Sequence, residues 1–435
     1  MFIGAKMILN KTLEKVIKNT CDKLDEKGLN ELSNLFKNCF PNTWETTVKV
    51  LDKNDTFVIT GDIPAMWLRD SAAQVNHYVP YAKDDTEIFD VIVGIINRYA
   101  LYLTKDPYAN AFNEIDNDHG YSTDITFRSP WVWERKYEVD SLCSVIALPY
   151  KLYKSTLRTD FFTDQLKKAF ETILDIWNIE QYHKEKSTYS FHRKNTDETD
   201  TIPHEGKGNP VGYTGMTWSG FRPSDDRCIY NYLIPSEMYA VVTLKYLHEI
   251  FTDVYKDQNL ADKANKLQNE IDDGIKRFGV YNHQKYGYIY KYEVDGLGNH
   301  VLMDDANSPS LLSAPYIGYC DANDQTYINT RKFILSSDNP FYFSGELLSG
   351  VGSPHTPKGN VWPISLVMQG LTSNNKDEIE NILNALTNSH AGTYFMHESI
   401  DCNNQEKFTR KWFAWANSLF SEFVLKYVEL INGEK

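Results

Sequence analysis

Long apolar runs are missing from this sequence. Nothing reaches the roughly 20 residues that a helix needs to cross a bilayer, so no membrane-spanning segment is expected. Cysteine is sparse and scattered. Cys21, Cys39, Cys143, Cys228, Cys320 and Cys402 form no CxxC pair. That argues against a disulfide framework or a zinc site and fits free thiols in a reducing compartment. Basic clusters are also lacking, and the formal charge of −14 comes from 45 basic against 59 acidic residues, so nucleic acid is not an expected partner. Nucleotide fingerprints do not occur. Gly296-Leu297-Gly298 lacks a third glycine, and Glu205-Gly206-Lys207-Gly208 has neither Walker spacing nor a following Ser or Thr. There is no GxSxG elbow and no HExxH. Asp116-Asn117-Asp118-His119-Gly120 begins like a calcium loop but lacks the closing glutamate, and reads as a turn. Finally, no Pro/Gly/Ser-rich spacer divides the 435 residues. A single domain over 1–435 is therefore expected, although length alone suggests roughly three. Met1 to Thr20 reads as the start of an amphipathic helix rather than a secretory signal, which makes a cytoplasmic location the expectation.

What the chain does have is helical periodicity. Leu13, Val16, Ile17 and Leu24 repeat at helix spacing, as do Ile88, Val91, Ile92, Ile95, Ile96, Tyr99 and Leu103. The pattern gives about a dozen helices in successive pairs, including segments near 72–79, 138–156, 236–253, 308–314, 364–373 and 410–431. β-Hairpins are predicted around 53–55 and 296–298. The fold class expected is all-α with short hairpins in the loops. A parallel α/β barrel is disfavoured because eight Val/Ile-rich strands are missing. Aromatic residues make up 14% of the chain, with 28 Tyr and 9 Trp. Many lie in polar loops that recur after every second helix or so. In a ring of helical hairpins those loops would gather at one end.

Three loops carry the chemistry. The first runs from Thr60 to Ser71 and places Trp67 beside Arg69-Asp70, just before a helix that Asp70 or Ser71 could cap. An aromatic face packs on sugar C–H groups while charged groups bind hydroxyls. The same trio also fits a structural ion pair beside a core tryptophan. The second loop holds Trp218, Phe221 and the adjacent Asp225-Asp226, where neighbouring carboxylates raise one another's pKa. The third holds His397-Glu398. One protonated and one ionised carboxyl are what glycoside cleavage requires. An exposed acidic turn and an exposed loop glutamate account for the same residues equally well.

Taken together, TGDIPAMWLRDS (60–71), WERKYEVDSLC (133–143), GMTWSGFRPSDD (215–226), HTPKGNVWP (355–363) and MHES (396–399) resemble glycoside hydrolase family 125, the exo-acting α-1,6-mannosidases. The resemblance spans essentially the whole chain. It implies an (α/α)6 toroid and an inverting mechanism. It implies Asp225 as general acid, with Asp226 as the fallback, and Glu398 as general base. Arg69 and Asp70 become hydroxyl ligands for a terminal mannose, and Trp67, Asp140, His355 and His397 pocket members. No cofactor or metal is implied, and the expected partner is a mannose-containing oligosaccharide, with no membrane and no obligate protein partner. Three other readings remain: another exo-glycosidase or phosphorylase on the same toroid acting on α-glucosides, a non-catalytic glycan-binding protein, and a structural helical toroid with no sugar site.

Overall fold

The computed structural model describes residues 7–433. It is mostly helical, with small two- and three-stranded sheets in the connections. The helices divide by how they bury their surfaces. Lys11–Asp25, Gln258–Phe278 and Lys376–Thr387 bury one stripe and expose the rest, as surface helices do. Val139–Thr156, Ile234–Glu249, Pro363–Leu371 and Ala414–Ile431 are buried around most of their circumference. The helix Leu68–Val75 packs against Val139–Thr156 on one side and Ala414–Ile431 on the other. Val139–Thr156 packs next to Ile234–Glu249, and Pro363–Leu371 next to Ala414–Ile431. Side chains from these five helices and from residues 308–317 surround one small internal cavity of about 60 Å³.

The helix predicted at 308–314 does not form. Residues 310–319 make a chain of short turns. Pro309 and Pro315 supply no N–H, and the Asp304 carboxylate takes the N–H groups of Leu311 and Leu312 at 2.9 and 3.0 Å. The donors a helical ladder needs there are already committed. The helix predicted at 72–79 starts earlier, at Leu68, and ends at Val75, followed by a 3-10 turn that contains Pro80. Neither Asp70 nor Ser71 caps it. Met66–Trp67 pairs with Ala111–Phe112 as a short strand and Leu68 N–H donates to Asn110 O, so the chain enters the helix directly from a sheet. Arg69 and Asp70 therefore sit in the first helical turn.

The hairpins are borne out: Val48–Asp52 pairs with Asp55–Val58, and Glu293–Val294 with His300–Val301. The stretch 390–407, read as loop, contains the strand Ser399–Asp401, which lies between Asn360–Val361 and Asn404–Thr409. That last strand delays the final helix to Ala414. The polar, aromatic loops do gather. Residues from 63–70, 121–136, 193–200, 223–226, 354–362 and 398–413 line one cavity of about 460 Å³.

Candidate active site

The floor of this cavity is built on Arg69. Its guanidinium donates to Glu138 Oε2 at 2.5 Å and to Asp140 Oδ2 at 3.1 Å, and lies 3.4 Å from Asp70 and 3.9 Å from Asp225 Oδ1. Burying one cation is tolerable because four carboxyls surround it. Polar atoms are left over. Asp70 Oδ2, Arg69 Nε, Asp226 Oδ2 and Trp67 Nε1 are buried without a hydrogen-bond partner, although buried polar groups are normally paired. All four belong to residues that line the cavity. Burial pushes the Asp70 carboxyl up to about 6, against the pull of Arg69.

The turn that carries the two aspartates is closed by Arg222 N–H donating to Asp226 O at 2.7 Å and Asp225 N–H donating to Arg222 O at 2.9 Å. Arg222 is itself anchored to Glu293 at 2.6 Å. Asp225 occupies the left-handed region, φ 66°, which aspartate tolerates better than most residues. The turn separates the pair. The Asp226 side chain is 5% exposed and accepts from His355 Nδ1 at 3.0 Å, whereas that of Asp225 is 26% exposed. Asn110 donates to Asp225 Oδ1 at 3.2 Å, and Lys136 Nζ donates to the Asp225 carbonyl at 2.8 Å. Burial raises the Asp225 carboxyl, but Lys136 and Arg69 outweigh it and hold it below the usual range. For His355, burial is outweighed by the bond to Asp226 and by the charges of Glu398 and Asp225, which lift the imidazole to about 9.

Glu398 lines the same cavity, one residue before the strand Ser399–Asp401. Arg410 Nη1 lies 3.6 Å from it and also pairs with Asp62. Gly61 bridges Phe413, and its φ is 133°. A Cβ there would lie 2.5 Å from Trp412 O, so only glycine lets these two loops meet.

Of the residues singled out in the sequence, Trp67, Arg69, Asp70, Asp225, His355 and Glu398 line the cavity together. Asp140 stands behind the wall, bound to Arg69 and to Ser236. His397 also stands back. It is fully buried, stacks on Phe408 at 3.8 Å and bonds Arg410 O, so it supports the Glu398 loop rather than facing the cavity. Sequence reasoning missed Lys136, Glu138 and Arg410. Lys136 and Glu138 lie within the quoted stretch 133–143, where nothing in the order of its charges separates them from Glu134 or Arg135, and Arg410 begins a segment read as helix.

A family model described as metal-independent alpha-mannosidase (GH125) matches residues 30–425. The chain belongs to glycoside hydrolase family 125. As a family 125 member it is a glycoside hydrolase and an α-mannosidase homologue. It is 44% identical, with a TM-score of 0.95, to a Streptococcus pneumoniae structure described as a metal-independent alpha mannosidase in a non-productive complex with alpha-1,6-mannobiose. That match covers 98% of this chain and 100% of the other. The chain is also 40% identical to the meiotically up-regulated gene 157 protein of Schizosaccharomyces pombe, over 97% of this chain and 86% of that one. A glucoamylase from Saccharomycopsis fibuligera, 10% identical over 99% of this chain and 98% of its own, shares the fold alone at a TM-score of 0.56. Among the described residues, no group of three or more His, Cys, Asp or Glu is placed to hold a metal ion. Nor is any helix among them long and apolar enough to cross a membrane.

Proposed function

We propose that this chain is an exo-acting, inverting α-1,6-mannosidase built as one (α/α)6 toroid. The observation that carries the reading is the pairing of Asp225 and Glu398 on the walls of one polar cavity above the Arg69-Asp70 floor. The linkage rests on the alpha-1,6-mannobiose bound by the pneumococcal relative. The unpaired buried atoms Asp70 Oδ2 and Arg69 Nε are suited to the hydroxyls of a terminal mannose, and Trp67 to its apolar face.

In this mechanism Asp225 protonates the glycosidic oxygen, and Glu398 takes a proton from a water on the opposite face of the anomeric carbon. Asp225 is preferred over Asp226 as the acid because it is the more open of the two, while Asp226 is committed to His355. Tyr121, Thr196 and Asp200 also line the cavity and are the proposed contacts of the leaving group. Two carboxyls suffice without a metal. Short manno-oligosaccharides, from N-glycans or mannan, are the proposed substrates, and a cytoplasmic location is in keeping with them.

The test is a panel of α-linked mannobioses, with maltose and isomaltose alongside, in which the first-formed sugar anomer is followed by NMR. Hydrolysis of the α-1,6 linkage with β-mannose appearing first is expected. α-Mannose appearing first removes the inverting mechanism, and preference for the glucosides removes the substrate. Asp225→Asn and Glu398→Gln should each abolish turnover of the disaccharide while the protein stays folded.

A further inference from the structure

The proposed acid has a neighbourhood that works against it. Arg69 and Lys136 both favour the ionised form of Asp225, whereas a proton donor must start protonated. Glu138 offers a way out. It sits at the start of the helix Val139–Thr156 with its side chain 0% exposed. Its Oε2 accepts from Arg69 at 2.5 Å and from Ser141 Oγ at 2.7 Å. Its Oε1 is buried and has no donor. Asp225 meets the same guanidinium, its Oδ1 lying 3.9 Å from Arg69 Nη2, and each of the two carboxyls acts on the proton affinity of the other. Two carboxyls held around one guanidinium do not both ionise readily, and a proton on Oε1 would end its want of a hydrogen bond.

We propose that Glu138 is a positioning residue that shares one proton with Asp225 and hands it back to that carboxyl for each turnover. This rests on the reading of Asp225 as the acid. The groups facing the pair are Arg69 and Asp70 from the floor helix, Asp140 and Ser141 from the helix of Glu138 itself, and Lys136 from the strand-to-helix connection. Cys228 lies toward Glu138 and Asp140, Glu134 and Tyr121 act on the Asp225 side, and His355 faces from the 354–362 loop. Burial raises Glu138 well above the usual carboxylate range against the pull of Arg69, and the negative charges of Asp225 and Asp140 add to it. The resting proton therefore lies on Glu138. It passes to Asp225 and on to the glycosidic oxygen, which keeps the electron pair of the breaking C1–O bond. Water supplies the hydroxyl to C1, and its proton goes to Glu398. Both members of the pair are then ionised. Solvent returns one proton to them and removes one from Glu398.

The test compares Glu138→Gln, Ser141→Ala and Asp225→Asn with the parent enzyme. The readout is kcat/KM against pH on α-1,6-mannobiose and on an aryl α-mannoside whose leaving group needs no protonation. Glu138→Gln should move the alkaline limb for mannobiose down by about one pH unit or more. It should cut kcat at pH 7 at least about tenfold with KM little changed, and touch the aryl substrate by less than about threefold. Ser141→Ala removes a donor that favours ionised Glu138. It should move the same limb upward, by up to about one unit, and does so even if Glu138→Gln does not fold. Equal losses on both substrates with unmoved limbs would mean that Glu138 only holds Arg69, and the proposal falls. If Asp225→Asn itself shows no dependence on the leaving group, the acid assignment has failed instead.

Discussion

Asp70 should make the protein less stable and the enzyme more active. The residue is 5% exposed, its Oδ2 has no hydrogen bond, and burial lifts the carboxyl from 3.8 to about 6 although the Arg69 guanidinium lies 3.4 Å from that oxygen. At 1.36 kcal/mol per pKa unit, that rise corresponds to about 3 kcal/mol. The sign follows from proton binding. Between pH 3.8 and 6 the folded state holds the proton more tightly than the unfolded chain, so stability falls as pH rises through this window and stays reduced above it. Asp70→Asn keeps the shape and removes the charge. It should therefore be more stable than the parent at pH 8, by up to about 3 kcal/mol or a few degrees in Tm. The difference should vanish near pH 4. Activity should move the other way. Losing one charge-assisted bond to a mannose hydroxyl costs about 1.5–3 kcal/mol, or roughly 10- to 150-fold in kcat/KM. Paired thermal melts at pH 4 and 8, with kinetics on α-1,6-mannobiose, decide it. A variant less stable at pH 8 would refute the claim that the carboxylate is strained. Parental kcat/KM would refute its place at the sugar.

Gly61→Ala should destabilise the fold by about 2 kcal/mol or more, because the new Cβ meets Trp412 O at 2.5 Å in a left-handed backbone; a parental denaturation midpoint would contradict this. His355, lifted from 6.5 to about 9, contributes stability that is complete below pH 6.5 and lost as pH rises through 9. His355→Gln should flatten that part of the stability profile, and an unchanged slope would show that the pair with Asp226 does not matter to folding. Arg410→Gln frees both Asp62 and Glu398 and should lower kcat/KM about tenfold or more through lost positioning, read by steady-state kinetics; full activity would remove Arg410 from the site. Prolonged EDTA treatment should leave the rate unchanged, and a loss restored by a divalent ion would overturn the two-carboxyl scheme.

How much of this was legible depended on whether a residue's partner was local. Helix spacing located Thr86–Lys105 and Val139–Thr156 well, because a buried stripe is written in the order of the apolar residues themselves. The segment 308–314 looked helical by the same criterion and is not, since the side chain of Asp304 captures its N–H groups. The start of the Arg69 helix was misplaced for a similar reason: the strand Ala111–Phe112, some forty residues away, fixes Met66–Trp67. At the site, Arg69-Asp70 and Asp225-Asp226 stood out as clustered charges beside aromatics. Telling Asp225 from Asp226 required knowing that His355 binds one of them. Glu138 and Arg410 were hidden because their partners, Arg69 and Asp62, lie far off in sequence.

The charges around the cavity bear on the chemistry as a group. The acids Asp70, Glu134, Asp197, Asp200, Asp225, Asp226 and Glu398 outnumber the cations Arg69, Lys136, Arg193, His355 and Arg410 along its lining. A neutral sugar gains little from that excess. An oxocarbenium-like transition state carries positive charge at the anomeric carbon and gains a good deal, because fixed charges in a partly desolvated site act without reorganising. The cations are mostly held by those same acids, as Lys136 is by Asp200 at 2.5 Å and Arg193 by Asp124 and Asp200 at 2.7 and 2.8 Å. They fix carboxylates in place more than they offer charge to a ligand. Arg69 extends the same logic to the floor: bound to Glu138 and Asp140, it orients Asp70 while leaving the local balance negative where the cationic carbon would form.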